Sequence, residues 1–590
     1  MEIRKKVLLS LMAAVLSVSA VLAAAPDPQA EITDPQAEIT AQTAQIPVQS
    51  RRSKAIIPAY QQQPLQNTQY GFVKGVKDDQ TLIWKGVPYG TAQRWKAPQN
   101  PSPWEGIKDA TKAGPTAIQQ TAKGYTGVED SLNLDIYRPD TAEINLPVLF
   151  FIHGGNNQTG DSEQVNLKQF AEKANVVAIS AKFRLGALGF NPLPALKHGT
   201  AEENSGNYTL LDIMQGLDWT KDNIRSFGGN PHNITVSGFS SGGRDVMALL
   251  ISPAAKGKFQ KAISFSGGMT TSDTADAQKI FAKHLAPYVV ADGIKATEAE
   301  AEAWLLQDTS DVADYLHQLS ADKLAGSFGH AFIRMNAFPH LYTDGVVLDK
   351  DGFQTTTYNQ VPLLMLSGTN EFTLFARSDP YFKKAVDDET VLTDARKKQE
   401  FLFARNYGSQ MYELFNVEAS AAQMSPHYGS APIYTMIIAY GENPDIVGEK
   451  AALLSGSVHG IWIPFVTGYA TATATGYPAG SFDNAGALAL TDAVQQYIGN
   501  FMRRGNPNGK GLAPWKQWSP VADGPTQLVV NADTEKAWYT QTYGHTTYDP
   551  ILKEMDQDTS IDSTAKENII HHVLNGRWFS QALDAHFNNK

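Results

Sequence analysis

The chain of 590 residues contains no cysteine. That absence excludes disulfides, a cysteine nucleophile, thiolate metal sites and lipid attachment through a cysteine. Stability must come from core burial, which a chain of this length can supply. Positive charge is in deficit: 49 Lys and Arg against 60 Asp and Glu give a formal charge of -11. Apart from Arg51-Arg52 and the N-terminus there is no basic run, which argues against nucleic acid as a partner. The H-E-x-x-H pattern is missing and the histidines show no metal-ligand spacing, so no metal site is expected. A membrane-length apolar run is missing as well. Residues 7–22 are apolar but short for a spanning helix, with Arg4, Lys5 and Lys6 before them and Ala23-Ala24-Ala25 after. This is the pattern of a secretory signal over residues 1–25, cleaved after Ala23 or Ala25. It predicts a secreted or periplasmic protein with no stable membrane insertion afterwards.

What is present is ordinary globular material, 42% hydrophobic and 10% aromatic. Residues 27–33 and 34–40 are two copies of one heptapeptide, followed by Gln- and Ala-rich sequence. Residues 26–67 therefore read as a disordered linker, and 68–590 as one large folded unit. Within it, residues 71–75 and 81–84 read as a β-hairpin, 85–90 as a turn, and 134–137, 146–152, 176–180 and 362–367 as strands. Residues 210–224, 492–504 and 564–588 carry helical periodicity. The more polar helical stretches 271–330 and 378–423 suit insertions that cap a site. Strands alternating with helices predict a doubly wound α/β sheet.

The chemistry centres on Gly238-Phe239-Ser240-Ser241-Gly242, a G-x-S-x-G string. The β-branched run Ile234-Thr235-Val236 precedes it, and a helical pattern with Val246, Met247, Leu249 and Leu250 follows. A strand, a sharp glycine turn and a helix would hold the Ser240 hydroxyl at the tip above a sheet. Acyl transfer through this serine then needs a base, an acid and oxyanion donors. Glu371 follows the 362–367 strand, where such folds place their sites, although position alone leaves it equally a solvated loop residue. The histidines beyond Glu371 are His427, His459, His545, His571, His572 and His586. The last three read as surface or helix-face residues. His459, in a loop ahead of the apolar run 461–466, is favoured as the base over His427. For the oxyanion, His153-Gly154-Gly155-Asn156 follows the 146–152 strand as an HGGG-type loop, with His153 orienting it.

Longer motifs carry a family resemblance. Trp84-Lys85-Gly86-Val87-Pro88-Tyr89 resembles F-x-G-I-P-Y, and residues 129–137 resemble E-D-C-L-x-L-N-V-Y. Gly206-Asn207-Tyr208, Trp219 and Phe227-Gly228-Gly229-Asn230-Pro231 match the run before the elbow, and Gly505-Asn506-Pro507-Asn508-Gly509 a late loop. From about Thr68 onward the chain resembles the type B carboxylesterases, the carboxylesterase/cholinesterase group, and among them the bacterial secreted para-nitrobenzyl-esterase-like members. The resemblance implies an α/β-hydrolase fold, with a large mostly parallel sheet, helices on both faces and helical caps. It implies a catalytic domain over 68–590, Ser240 as nucleophile, Glu371 as acid and His459 as base. It places Gly155, Asn156 and Ser241 at the oxyanion-hole amides. It implies a small-molecule ester as substrate and no metal or organic cofactor, and it assigns no oligomeric state.

Departures from the pattern set further expectations. Ser131 stands where the family has a cysteine, and the acid segment is two residues short. Asn156 replaces a glycine. Phe239 and Trp462 replace two glutamates, so the pocket is expected to be apolar, with Phe239 contacting substrate and neutral esters preferred over choline esters. The rival readings are a lipase or amidase on this fold and a non-catalytic binding protein.

Overall fold

The computed structural model describes residues 59–468 and 476–589, all within one compact unit, Ala55–Lys590. The expected signal at 1–25 and most of the expected linker lie outside the described residues. Among these, no helix is long and apolar enough to cross a membrane.

The strands are Leu65–Thr68 (β1), Gly71–Lys74 (β2), Val76–Asp78 (β3), Thr81–Pro88 (β4), Ile107–Asp109 (β5), Gln119–Thr121 (β6), Gly124–Thr126 (β7) and Asn133–Pro139 (β8). They continue with Leu146–Ile152 (β9), Val177–Ala181 (β10), Gly229–Phe239 (β11), Lys261–Phe265 (β12), Leu363–Gly368 (β13), Ile433–Ile438 (β14), Pro525–Ala532 (β15) and Ala537–Tyr543 (β16). Eleven of them form one sheet in the order β16-β15-β14-β13-β12-β11-β9-β10-β8-β4-β3. From β10 across to β15 every neighbouring pair is parallel, and both flanks are antiparallel.

The centre of the sheet is buried on both sides. Along β9, Val148, Phe150 and Ile152 join a core that includes Leu210, Ile213 and Leu217 of the helix Tyr208–Asn223 and Val246 and Leu249 of the helix Ser241–Leu250. Leu149 and Phe151 point the other way, into a core with Phe170 of Lys168–Ala174, Phe465 of Trp462–Thr467 and Val494 and Phe501 of Ala485–Arg504. Alternation of side chains across the pleat makes this two-sided burial possible, at about 2 kcal/mol per large apolar side chain. Phe372, Phe382, Phe401, Trp578 and Phe579 help form a third core, in the helical insertions.

From β9 the chain crosses to β10 on one side; from β11 it crosses to β12 on the other. The loops leaving β9 and β11 therefore part at their C-terminal ends, where open α/β sheets leave a crevice.

Several expectations are corrected. Order begins before Thr68: β1 starts at Leu65, inside the stretch expected as linker, and the Trp84 indole N–H donates to the Pro64 carbonyl (2.7 Å). Residues 71–75 and 81–84 do not pair with each other; β2 pairs with β1 and β5, while β4 pairs with β3. Gly75 makes the change of sheet possible, because a Cβ there would lie 2.1 Å from the Ile83 carbonyl. The expected turn at 85–90 is mostly strand, with Gly86 at φ 65 forming a bulge between Trp84 and Val87. The expected C-terminal helix is broken into Ser563–Asn568, a π-helical segment Ile569–Leu574 and Gln581–Phe587. Gly576, at φ 63, turns the chain so that Trp578 and Phe579 enter the third core.

Candidate active site

β11 ends at Phe239, and Ser240 follows at φ 57, ψ -119, immediately before the helix Ser241–Leu250. A non-glycine residue held there is strained, so its neighbours must hold it. The Ser240 N–H donates to the Phe265 carbonyl at the end of β12 (2.9 Å), and the Arg244 N–H donates to the Ser240 carbonyl (2.9 Å). The flanking glycines are dictated by space. A Cβ on Gly238 would lie 2.2 Å from the Gly242 carbonyl oxygen, and one on Gly242 would lie 2.2 Å from that of Ile152. Gly238 thus lets the turn close on Gly242, and Gly242 lets it pack against β9.

The loop after β9 runs beside the elbow; a Cβ on Gly154 would sit 3.1 Å from Ser240 Cβ. Gly155, Asn156 and Asn157 take φ values of 120, 59 and 55 in succession. Asparagine is among the few side-chain-bearing residues that accept this region. The N–H groups of Gly155, Asn156 and Ser241 have no acceptor among the described residues. His153 is buried and stacked on Phe183, ring centres 4.3 Å apart, and its Nδ1–H donates to the Gly154 carbonyl (2.9 Å). Burial pulls its pKa down to about 4, so at neutral pH it is an uncharged brace.

Glu371 lies just beyond the end of β13 and is fully buried. One carboxylate oxygen accepts from the Gly368 N–H (2.6 Å), the Ser266 hydroxyl (2.7 Å) and the Ser367 hydroxyl (3.2 Å). The other accepts from Nδ1–H of His459. The His459 loop is pinned to the acid turn by Asn370: its N–H donates to the Ser457 carbonyl (3.0 Å), and its Oδ1 accepts from the Ser457 N–H (3.0 Å) and Arg405 (2.9 Å). The expected apolar run after His459 is the helix Trp462–Thr467. The imidazole is packed by Phe239 (4.7 Å between ring centres), Phe375 (5.2 Å) and Tyr412 (5.6 Å). Its Nε2 is buried and has no hydrogen-bond partner among the described residues.

Ser240, His459, Phe239, Gly155 and Asn156 all line one cavity of about 900 Å³; Glu371 and Ser241 lie behind its wall. Around it are Ile333, Leu374, Phe375 and Ile463 on the apolar side and Gln120, Gln158 and Gln164 on the polar side. No Asp, Glu, Lys or Arg lines it among the described residues. Phe239 also packs edge-on to Trp462, which is stacked on Phe265 at 4.1 Å, so aromatic rings fill the volume expected of two carboxylates. The other histidines beyond Glu371 lie elsewhere: His427 is exposed, His545 sits against Glu418 (2.5 Å) and His586 against Asp556 (2.7 Å). Sequence reasoning missed Ser266, Ser367 and Asn370. Only Asn370 had a local signal, as the third residue of Gly368-Thr369-Asn370.

An eleven-stranded, mostly parallel sheet with a strained serine between strand and helix at its switch point defines the α/β-hydrolase fold. The chain belongs to the carboxylesterase family, whose model matches residues 62–420. It is similar to the para-nitrobenzyl esterase of Bacillus subtilis (strain 168), 38% identical over 231 residues covering 37% of this chain and 46% of that protein. It is also similar to the medium-chain fatty acyl-CoA hydrolase precursor of Anas platyrhynchos, 27% identical over 529 residues covering 78% and 87%. A solved PNB esterase superposes with a TM-score of 0.61 at 26% identity, over 82% of this chain and 97% of that one. These relationships make the chain a carboxylic ester hydrolase acting on small-molecule esters.

Proposed function

We propose that this protein hydrolyses neutral carboxylic esters through an acyl-enzyme formed on Ser240. The reading rests on one observation above others: the buried Glu371–His459 pair leaves Nε2 of His459 unpartnered on the cavity that holds Ser240. In the first step Nε2 takes the Ser240 proton as Oγ attacks the ester carbonyl, a contact that tightens once substrate is bound. Glu371 keeps the Nδ1–H tautomer and stabilises the imidazolium. The N–H groups of Gly155, Asn156 and Ser241 receive the oxyanion, each worth about 100-fold or more in rate. His459 then returns the proton to the departing alcohol. In the second step it activates a water that hydrolyses the acyl-enzyme, restoring Ser240.

The substrate class follows from the lining. With no Asp, Glu, Lys or Arg among the described residues lining the cavity and Phe239 against His459, a quaternary ammonium group finds no compensating carboxylate there. Neutral alcohols and acyl chains meet matching apolar surface. Residues 1–25 support export, which N-terminal sequencing of the mature protein tests.

The test of the mechanism is Ser240→Ala. The variant should lose both turnover of a chromogenic neutral ester and covalent labelling by an organophosphate. Retention of either removes Ser240 as the nucleophile. The parent protein should cleave a neutral ester faster than its choline-ester analogue, and the opposite order would sink the substrate reading.

A further inference from the structure

Beside the cavity, but not lining it, lies a buried polar pair that the proposed chemistry leaves unused. Asp245 stands on the helix Ser241–Leu250 with its side chain wholly inside the protein. One carboxylate oxygen accepts from the Asn157 side-chain amide (2.9 Å), and the other has no partner among the described residues. The neighbouring Arg244 does not pair with it. Its guanidinium contacts His340 (2.7 Å) and the Thr270 carbonyl (2.8 Å) and lies over Trp578 (4.3 Å). Burying a carboxyl group with one oxygen unsatisfied costs stability, so the pair is a poor device for holding a core together.

Its geometry suits another task. Asn157 is the last of the three positive-φ residues after β9; its backbone N–H, its carbonyl and its side-chain NH2 are each bonded, while its side-chain oxygen is buried with no partner among the described residues. Its N–H donates to the Ser241 hydroxyl (3.0 Å), its carbonyl accepts from the Gly186 N–H (2.7 Å), and its amide donates to Asp245. Two of these three bonds reach into the helix that opens with Ser241. The loop carrying the Gly155 and Asn156 N–H groups is therefore tied directly to the element carrying the Ser241 N–H. Asn157 sits in the left-handed region and would relax toward a commoner conformation if released. Such a shift would rotate the adjoining Asn156–Asn157 segment and change the spacing of the three donors.

We infer that Asp245 is a positioning residue for the oxyanion loop, holding the Gly155 and Asn156 N–H groups in register with that of Ser241 through its bond to Asn157. The inference rests on the proposed acyl-enzyme mechanism, because the register matters only if those donors meet an oxyanion. Misplacing prearranged groups by about an ångström costs on the order of 100-fold in rate while leaving ground-state binding intact.

The test compares Asp245→Ala, Asp245→Asn, Asn157→Ala and the double alanine variant, each normalised by active-site titration with an organophosphate. Asp245→Ala should lower kcat on a neutral ester by about 100-fold. KM should stay within about threefold, and affinity for a boronic acid that mimics the tetrahedral adduct should fall in parallel with kcat. Asp245→Asn, whose carbonyl still accepts from Asn157, should stay within about tenfold of the parent. The double variant should lose no more than either single one, since both break the same tie. If Asp245→Ala does not fold, Asn157→Ala carries the same kcat and boronic-acid readouts. The inference is overturned if folded Asp245→Ala or Asn157→Ala keeps the parent's kcat per titrated site, or if KM rises while kcat holds. Ser240→Ala run alongside separates the two readings. Turnover surviving there refutes the mechanism itself, whereas its loss together with an intact Asp245→Ala refutes only the positioning role.

Discussion

Glu371→Gln is the change whose consequence the structure specifies most fully. The carboxylate oxygen on the strand side accepts from three donors, the Gly368 N–H and the Ser266 and Ser367 hydroxyls. A glutamine amide must keep its oxygen there, because its NH2 would face the Gly368 N–H. The NH2 is therefore directed at Nδ1 of His459, which must become an acceptor. The ring proton then moves to Nε2, the atom that in the proposed mechanism receives the Ser240 proton. A wrong tautomer of this kind costs about 10,000-fold in kcat, or about 5 kcal/mol of transition-state stabilisation. Glu371 does not line the cavity, so KM should change little. The three strand-side bonds survive, so the melting temperature should move by only a few degrees. Steady-state and burst kinetics on a para-nitrophenyl ester, with a thermal melt of the same sample, measure all three quantities. A kcat within tenfold of the parent would refute the claim that Glu371 sets the tautomer of His459. So would a loss confined to KM.

Two further outcomes follow from the same geometry. Phe239→Glu places a carboxylate beside His459, where Phe239 now packs at 4.7 Å. At an effective dielectric constant near 20 its attraction for a cation a few ångströms away is worth about 3 kcal/mol before desolvation. The rate ratio of a choline ester to its neutral analogue should rise at least about tenfold, and an unchanged ratio would show that Phe239 does not set charge preference. His153, held by burial near a pKa of about 4 against 6.5 for a solvated histidine, is uncharged in the folded chain where the unfolded chain takes up a proton. Its contribution to stability is complete above 6.5 and is lost as the pH falls toward 4, in total about 3 kcal/mol. His153→Gln should therefore flatten the fall in melting temperature between pH 6.5 and pH 4, and parallel profiles for parent and variant would rule this out.

Much of the fold and part of the site are legible in the sequence. The sheet strands β9, β10 and β13 announce themselves as short, mostly apolar runs, because a strand covered on both faces needs little else. The sequence misleads where glycine has two meanings. Gly75 reads as the end of a hairpin strand and Gly86 as a turn residue, but they serve as a crossover between sheets and a bulge, since only long-range contacts distinguish these uses. The true start of order is hidden because β1, Leu-Gln-Asn-Thr, has no strand-like composition of its own and is held by β2 and Trp84. The break in the C-terminal helix is hidden too, because the periodicity of its residues does not reveal that Gly576 redirects Trp578 and Phe579 into the core.

The same division runs through the candidate site. Sequence alone determined what is local: a serine between glycines at the end of a strand, and an asparagine pair where the backbone needs positive φ. Each is a steric requirement of a few adjacent residues and is written in their identities. Tertiary structure alone decided which residues meet. Glu371 and His459 are 88 positions apart, as are Asn157 and Asp245, and Ser266 reaches Glu371 across 105. No pattern within a window of residues encodes such a meeting. It arises because parallel strands carry distant segments to one end of the sheet, and because a buried carboxylate is tolerated only where donors from several of those segments converge on it.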